Sequence, residues 1–458
     1  MFIAVILTAS AYAADDENYY IFQINRKAET KRAPVDADPV YAETGLYRTN
    51  DLSLIRDFEK RGILIDYTLD AEVYLFGLQE DIESLRSEDW SGAMLGKGYA
   101  VSGELSGEGV RIAMIDSGIR PDYAELTGST VVQGVNYLAA SDSEERSDTK
   151  DTVGHGTFVA SVMTSDMIGL APKAELVPLK CFDSNKSSVS YIVSAIYAAV
   201  DDFHCNVINL SLGTTTDVSF LQTAISYAYE NGAIVIAASG NLSTGTLSTG
   251  NDPLYYPAAY DEVIGVGAVN AKKQISSYSV QNQSVTLVAP GDGVSGLSHT
   301  GTDYISGVGT SYASPFVAAA AALALEADSE LSPQQFLSIL QMTSEDLGAD
   351  GRDNTYGYGL LNLGLLLAKL RNDGESLILT LYDGRACISA YQAEPERECQ
   401  MLAAFYDSDG RLSSVAFIGN SSGNCSLNNY VLTDIPESLA LYVMDSETFA
   451  PQTGVRRY

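Results

Sequence analysis

Residues 111–116, RIAMID, place an unbroken apolar run, Ile112 to Ile115, directly before an acid. A strand wetted on one face alternates apolar and polar residues, whereas a parallel strand covered by helices on both faces is apolar throughout. The run therefore predicts a central strand of a parallel sheet. Asp116 then falls at the carboxyl edge, where open α/β sheets build their sites. The same texture recurs at ELVPLKC (175–181), NVINLSL (206–212), AIVIAAS (233–239) and VIGVGAV (263–269). Between these runs, SVSYIVSAIYAAVDDF (188–203) and SFLQTAISYAYENG (219–232) carry helical spacing, the second stopped by Gly232. The alternation predicts an α/β fold, a mainly parallel β-sheet flanked by helices.

Outside this region the texture changes twice. MFIAVILTASAYA (1–13) is apolar and ends in a small-x-small pattern, which reads as a signal peptide over 1–14 with cleavage near Ala13 or Ala14. It lacks the usual leading Lys or Arg, and a buried N-terminal strand would also fit. The run is too short to span a bilayer. Residues 15–95 carry YYIFQI (19–24), LSLIRDFEKRG (52–62) and EVYLFGL (72–78), which suggest a small α+β domain. SGAMLGKGYAVSGELSGEG (91–109) reads as a glycine-rich linker into a main domain over 96–372. Beyond the helix LLNLGLLLAKLRN, residues 373–458 show short alternating runs separated by Asp-Gly and Gly-Asn turns, which predict a small all-β, β-sandwich-like accessory domain.

Composition narrows the function. With 27 basic and 59 acidic residues the net charge is −32, which disfavours nucleic acid and anionic membrane surfaces as partners. Five cysteines without a CxxC and three histidines without an HExxH point away from zinc and from a dense disulfide framework.

Serine becomes a nucleophile only when a base takes its proton, and the base needs a third group to fix its tautomer. Asp116 in IDSGI, His155 in GHGTFVAS and Ser311 in GTSYASP supply the three side chains in the order Asp, His, Ser. Taken singly, each has a plainer role: Asp116 as a turn former, His155 as a satisfied imidazole, Ser311 as a helix cap. Their joint occurrence is the signal.

The blocks IDSGI, GHGTFVAS, NVINLSLG, AASGN, VAPG and GTSYASPFVA, with GYGLLN at 357–362, resemble the subtilisin-like serine proteases (peptidase S8 type) over about residues 109–372. The resemblance implies a serine endopeptidase, with Asp116 as orienting carboxylate, His155 as base and Ser311 as nucleophile. Asn241 in AASGN would help hold the oxyanion. It further implies that Ser211, Leu212 and Gly213 pair with extended substrate, and that Leu242 and Tyr255 shape an uncharged, shallow specificity pocket. Residues before the main domain take the place of an inhibitory propeptide, a partner removed by self-cleavage within 79–108. A secreted monomeric zymogen acting on protein or peptide substrates is expected, with cell-surface association open. No cofactor is required for the chemistry. Structural calcium stays open, the acidic stretch DSEERSDTKD (142–151) being solvated in the plainer reading.

The sequence departs from the family at Phe158 and Ser161, where His and Gly are usual, and at Tyr312 and Phe316, where Met and His are usual. GNSSG (419–423) fits an esterase serine motif, but no His follows it. The same blocks would also suit a catalytically inactive scaffold or a surface binding module. The uncharged pocket predicts weak cleavage after Lys or Arg relative to apolar residues; a peptide library with a basic preference contradicts it.

Overall fold

The computed structural model describes residues 18–25, 37–81, 90–97, 105–120, 122, 126 and 131–371 except 244–245 and 301–303, with only the backbone of 78–81 and 93. In 376–457 it describes the backbone of strands alone. The predicted signal peptide lies outside the described residues.

The N-terminal unit contains β1 (Tyr20–Ile24), β2 (Asp38–Tyr41), β3 (Leu46–Thr49), α1 (Leu52–Lys60) and β4 (Leu64–Leu69). Its antiparallel sheet runs β2-β3-β1-β4. Helix α1 is capped by the Asp51 side chain on the Ser53 N–H, and it buries Ile55 and Phe58 against Phe22 and Tyr47. Two further strands follow, β5 (Glu72–Leu75) and β6 (Leu78–Asp81), but neither joins this sheet. Next comes α2 (Trp90–Leu95), within what the sequence suggests is a linker; Trp90, Met94 and Leu95 are buried in the core of the main domain.

The main domain contains β7 (Arg111–Asp116), β8 (Val135–Asn136), α3 (His155–Thr164), β9 (Glu175–Lys180), β10 (Lys186–Ser188) and α4 (Val189–Asp201). It continues with β11 (Val207–Leu210), β12 (Leu212–Gly213), α5 (Ser219–Glu230), β13 (Ile234–Ala238), β14 (Val263–Val269) and β15 (Leu287–Pro290). It closes with β16 (Asp292–Leu297), β17 (Tyr304–Val308), α6 (Ser314–Ala327), α7 (Pro333–Thr343) and α8 (Leu363–Leu370). A seven-stranded sheet, β15-β14-β13-β11-β7-β9-β8, is parallel throughout. Ile112 and Met114 of β7 face one core with α3 and α6, while Ala113 and Ile115 face the other with α4 and α5. That two-sided burial is why the strands read as continuous apolar runs.

Helix α6 is buried on every side from Ser314 to Leu325, and its alanines let the sheet approach closely. The C-terminal region is strand-only among its described residues: β18 (Ser376–Tyr382), β19 (Arg385–Tyr391), β20 (Cys399–Tyr406), β21 (Leu412–Ser421), β22 (Tyr430–Leu432), β23 (Ser438–Asp445) and β24 (Arg456–Arg457). They form two antiparallel sheets, β18-β19-β22 and β21-β20-β23-β24.

The N-terminal unit docks on α4. Asp70, whose side chain is fully buried, accepts from the Ser190 N–H at 2.9 Å and Oγ at 2.7 Å, and from Arg48 Nε at 2.7 Å. It caps the first turn of a helix whose own N-cap, Ser188, makes no side-chain cap bond. Tyr41 stacks on Tyr197 at 4.1 Å and donates to Asp201, which also accepts from the Tyr227 hydroxyl at 2.6 Å. In a Ser311→Ala background, Asp70→Ala is expected to remove about 1–2 kcal/mol of stability, the usual worth of a lost cap. Urea titration, with faster amide exchange at Ser190, measures it.

Candidate active site

Asp116 ends β7 fully buried, and His155 Nδ1 lies 2.8 Å from its Oδ1 and 3.0 Å from its Oδ2. A carboxylate only accepts, so it places the imidazole proton on Nδ1 and leaves Nε2 as the basic atom. The approach depends on glycine. Gly154, at φ 100°, turns the chain into α3, and a Cβ on Gly156 would come within 2.0 Å of the Gly118 carbonyl oxygen.

A second carboxylate holds this arrangement. Asp151 accepts from Ser117 Oγ (2.9 Å), the N–H groups of Val153 (2.9 Å), Gly154 (2.8 Å) and Thr157 (2.9 Å), and Thr157 Oγ1 (2.7 Å). It thereby ties the turn after β7 to the first turn of α3. Lys180, opposite Asp116 in the register, donates to the Ser117 carbonyl at 2.6 Å. Burial pushes the Lys180 pKa down, and Asp151 leads the carboxylates that oppose that shift. Sequence reasoning missed Asp151 because it ends the acidic stretch 142–151. The acids before it are exposed and Asp151 is 3% exposed. An acid four residues before a helix-starting His was the available signal.

Ser311 occupies a short turn, Thr310–Tyr312, just before α6. Ser211 Oγ donates to its carbonyl at 2.9 Å and meets Ser314 Oγ at 2.9 Å. Asn241 Oδ1 accepts from the Thr310 N–H (3.1 Å) and Oγ1 (2.8 Å), so its Nδ2 points into the cleft. Both donors meet there on one atom: the Phe76 carbonyl oxygen accepts from the Ser311 N–H at 3.2 Å and from Asn241 Nδ2 at 3.3 Å.

Phe76 arrives on β5, which lies between two strands of the main domain. Leu75 and Tyr74 face Leu212 and Gly213 on one side, and Tyr74, Val73 and Glu72 face Lys186, Ser187 and Ser188 on the other. After Gly77, β6 pairs antiparallel with β17, Leu78 opposite Val308 and Asp81 opposite Ile305. The chain thus crosses the cleft as a peptide substrate would, presenting the Phe76–Gly77 bond, which lies before the expected 79–108 window. The Phe76 ring is 7% exposed and meets Tyr255 edge-on at 5.1 Å. It also lies over Gly213, where a Cβ would come within 2.7 Å of it. The Phe76 side chain is thus buried against Tyr255 and Gly213, two of the residues expected to bind substrate. Leu242, partly exposed, is tied through its N–H to the Tyr278 carbonyl at 2.7 Å.

One expected contact is not made. Ser311 Oγ donates to the Ser211 carbonyl at 2.7 Å and accepts from the Phe76 N–H at 2.9 Å, while His155 Nε2 is buried without a hydrogen-bond partner. Among the described residues no group of three or more His, Cys, Asp or Glu is arranged to hold a metal ion.

The family model described as the subtilase family (Peptidase_S8) matches residues 107–359, more than half of the chain. The chain belongs to the subtilase family. Subtilisin DY of Bacillus licheniformis is 37% identical over 264 residues, covering 56% of this chain and 90% of that protein. An alkaline protease of Alkalihalobacillus alcalophilus is 30% identical over 386 residues, 79% of this chain and 95% of its own. The minor extracellular protease Epr of Bacillus subtilis (strain 168) is 34% identical over 280 residues, 60% of this chain but 41% of Epr. The match therefore spans less than half of Epr.

In this subtilase, Ser161 donates to the Phe158 carbonyl at 2.7 Å and accepts from the Leu297 N–H at 3.0 Å, joining α3 to β16. Asp151→Ala would strand the donors it now satisfies. It is expected to cost about 1–3 kcal/mol of stability, as for an unsatisfied buried group, and by loosening the first turn of α3 to lower kcat with KM little changed. Steady-state kinetics on one peptide checks it.

Proposed function

We propose that the chain is a secreted serine endopeptidase, made as a precursor that cuts its own Phe76–Gly77 bond and then cleaves peptides after large apolar residues. The observation that carries this reading is the Phe76 carbonyl oxygen under two N–H donors, beside Ser311. Those donors fit the negative charge that appears on this oxygen when a nucleophile adds to its carbon.

The chemistry follows from the residues present. The reaction requires Ser311 Oγ to leave the Ser211 carbonyl and Phe76 N–H for His155 Nε2, which a change of χ1 rotamer would bring about. Nε2 takes the hydroxyl proton as Oγ bonds to the Phe76 carbonyl carbon, and Asp116 steadies the imidazolium. The tetrahedral oxyanion rests on the Ser311 N–H and Asn241 Nδ2. Its collapse breaks the C–N bond, and His155 passes the proton to the Gly77 nitrogen. Water, activated by the same imidazole, then attacks the acyl-serine and releases the Phe76 carboxylate. Leu212 and Gly213 would bind substrates as they bind β5; Ser211, expected to pair with them, instead bonds Ser311 and Ser314. The N-terminal unit would act as the inhibitor until β5 leaves. Secretion rests on the signal-like residues 1–14.

A silent scaffold is the second reading, favoured by the unengaged His155 Nε2. A fluorophosphonate separates the two: labelling is expected on Ser311 and is lost in His155→Ala. Expressed alone, the wild-type chain is expected to yield a fragment beginning Gly77-Leu78, and Ser311→Ala to stay uncut. Normal processing of Ser311→Ala would refute self-cleavage.

A further inference from the structure

On the far side of the presented bond the structure leaves almost no room. A Cβ on Gly77 would lie 2.6 Å from Cζ and from Oη of Tyr312, and 2.8 Å from its Cε2. Carbon atoms rest at about 3.5–4.0 Å, so a side chain there requires the ring to move. The backbone does not impose glycine, since Gly77 is outside the left-handed region. The obstacle is the ring.

Tyr312 has little freedom to yield. It is fully buried, 4.2 Å from the Phe158 ring centroid and 5.5 Å from that of His155. Phe158, also fully buried, is confined in turn: a Cβ at Gly296 or at Gly307 would each come within 2.5 Å of its ring. At Gly307 the Cβ would also meet Tyr312 at 2.8 Å. Two glycines in paired strands make space for two aromatic rings, and the rings use it up. Both rings stand where the sequence departs from the family's usual residues, His for Phe158 and Met for Tyr312. Methionine is unbranched and adapts to its surroundings; a wedged phenol does not.

We propose that Tyr312, backed by Phe158, is a specificity-determining residue that restricts the position after the cleaved bond to glycine. The enzyme then cuts where a large apolar residue is followed by Gly. This rests on the proposed attack of Ser311 at the residue-76 position. It adds a requirement on the leaving side that the resemblance does not carry.

The test uses matured enzyme from the full chain and peptides copying residues 72–81, EVYLFGLQED, with Gly, Ala or Leu at the position of Gly77. Overpacking of this kind costs about 1–3 kcal/mol, so kcat/KM for Gly is expected to exceed that for Ala by about 10- to 100-fold, and that for Leu by more. In Tyr312→Met the Gly-to-Ala ratio is expected to fall towards one. A ratio unchanged in that variant overturns the role of Tyr312. If the variant does not fold, the wild-type series still decides, together with Gly77→Ala in the precursor, which should slow release of the fragment starting at residue 77. Equal kcat/KM for Gly and Ala, with Ser311 labelling intact, overturns the restriction and leaves the protease reading standing. No cleavage of any peptide and no labelling overturns both.

Discussion

Two N–H groups aimed at one carbonyl oxygen organise this molecule. The Ser311 N–H is in place because α6 begins beneath it, and α6 is fixed by burial on every side from Ser314 to Leu325. The Asn241 amide is in place because Thr310 holds its oxygen with two hydrogen bonds, leaving the nitrogen to face the cleft. On the other side of the contact, Phe76 is delivered by a strand gripped along both edges and by a unit anchored through Asp70 on the first turn of α4. Remove either donor and the rest of the architecture still presents a peptide bond, but with only one N–H left for the charge that the proposed cleavage would create.

The same contact explains the position of the nucleophile. With Phe76 seated, its own N–H reaches Ser311 Oγ, and the hydroxyl proton goes to the Ser211 carbonyl. His155 Nε2 is left buried and unpaired, an arrangement that costs about 1–3 kcal/mol. A serine turned to the imidazole would satisfy Nε2 but give up both of these hydrogen bonds.

Much of this was legible in the sequence, for a local reason. Asp116 ends β7, His155 begins α3, Asn241 lies three residues past β13 and Ser311 three residues before α6, and short blocks specify those junctions. What escaped was non-local. EVYLFGL reads as part of the N-terminal unit, but the structure divides it between β5 and the start of β6, and β5 pairs with edges more than a hundred residues away. Trp90–Leu95 hid as a helix among glycines because burial in the main core, not propensity, supports it. Asp151 hid in an acidic run because composition describes the run's average, and one member faced inward. Phe158 and Tyr312 stood out singly, but their meeting with Gly77 depends on packing across three segments.

The two ladders flanking Phe76–Gly77 have a kinetic consequence. In the proposed self-cleavage, both new ends would stay clamped close together, the amine of residue 77 facing the acyl-serine at an effective concentration of roughly millimolar or more. Resealing would then compete with water, so bond scission alone would be a reversible stroke. The ratchet would be the loss of a strand. β5 is paired on both edges and moored by its unit, whereas among the described residues β6 is paired with β17 alone, at four positions. The new amino terminus would therefore be the end that lets go first, and its departure would give the cut its direction.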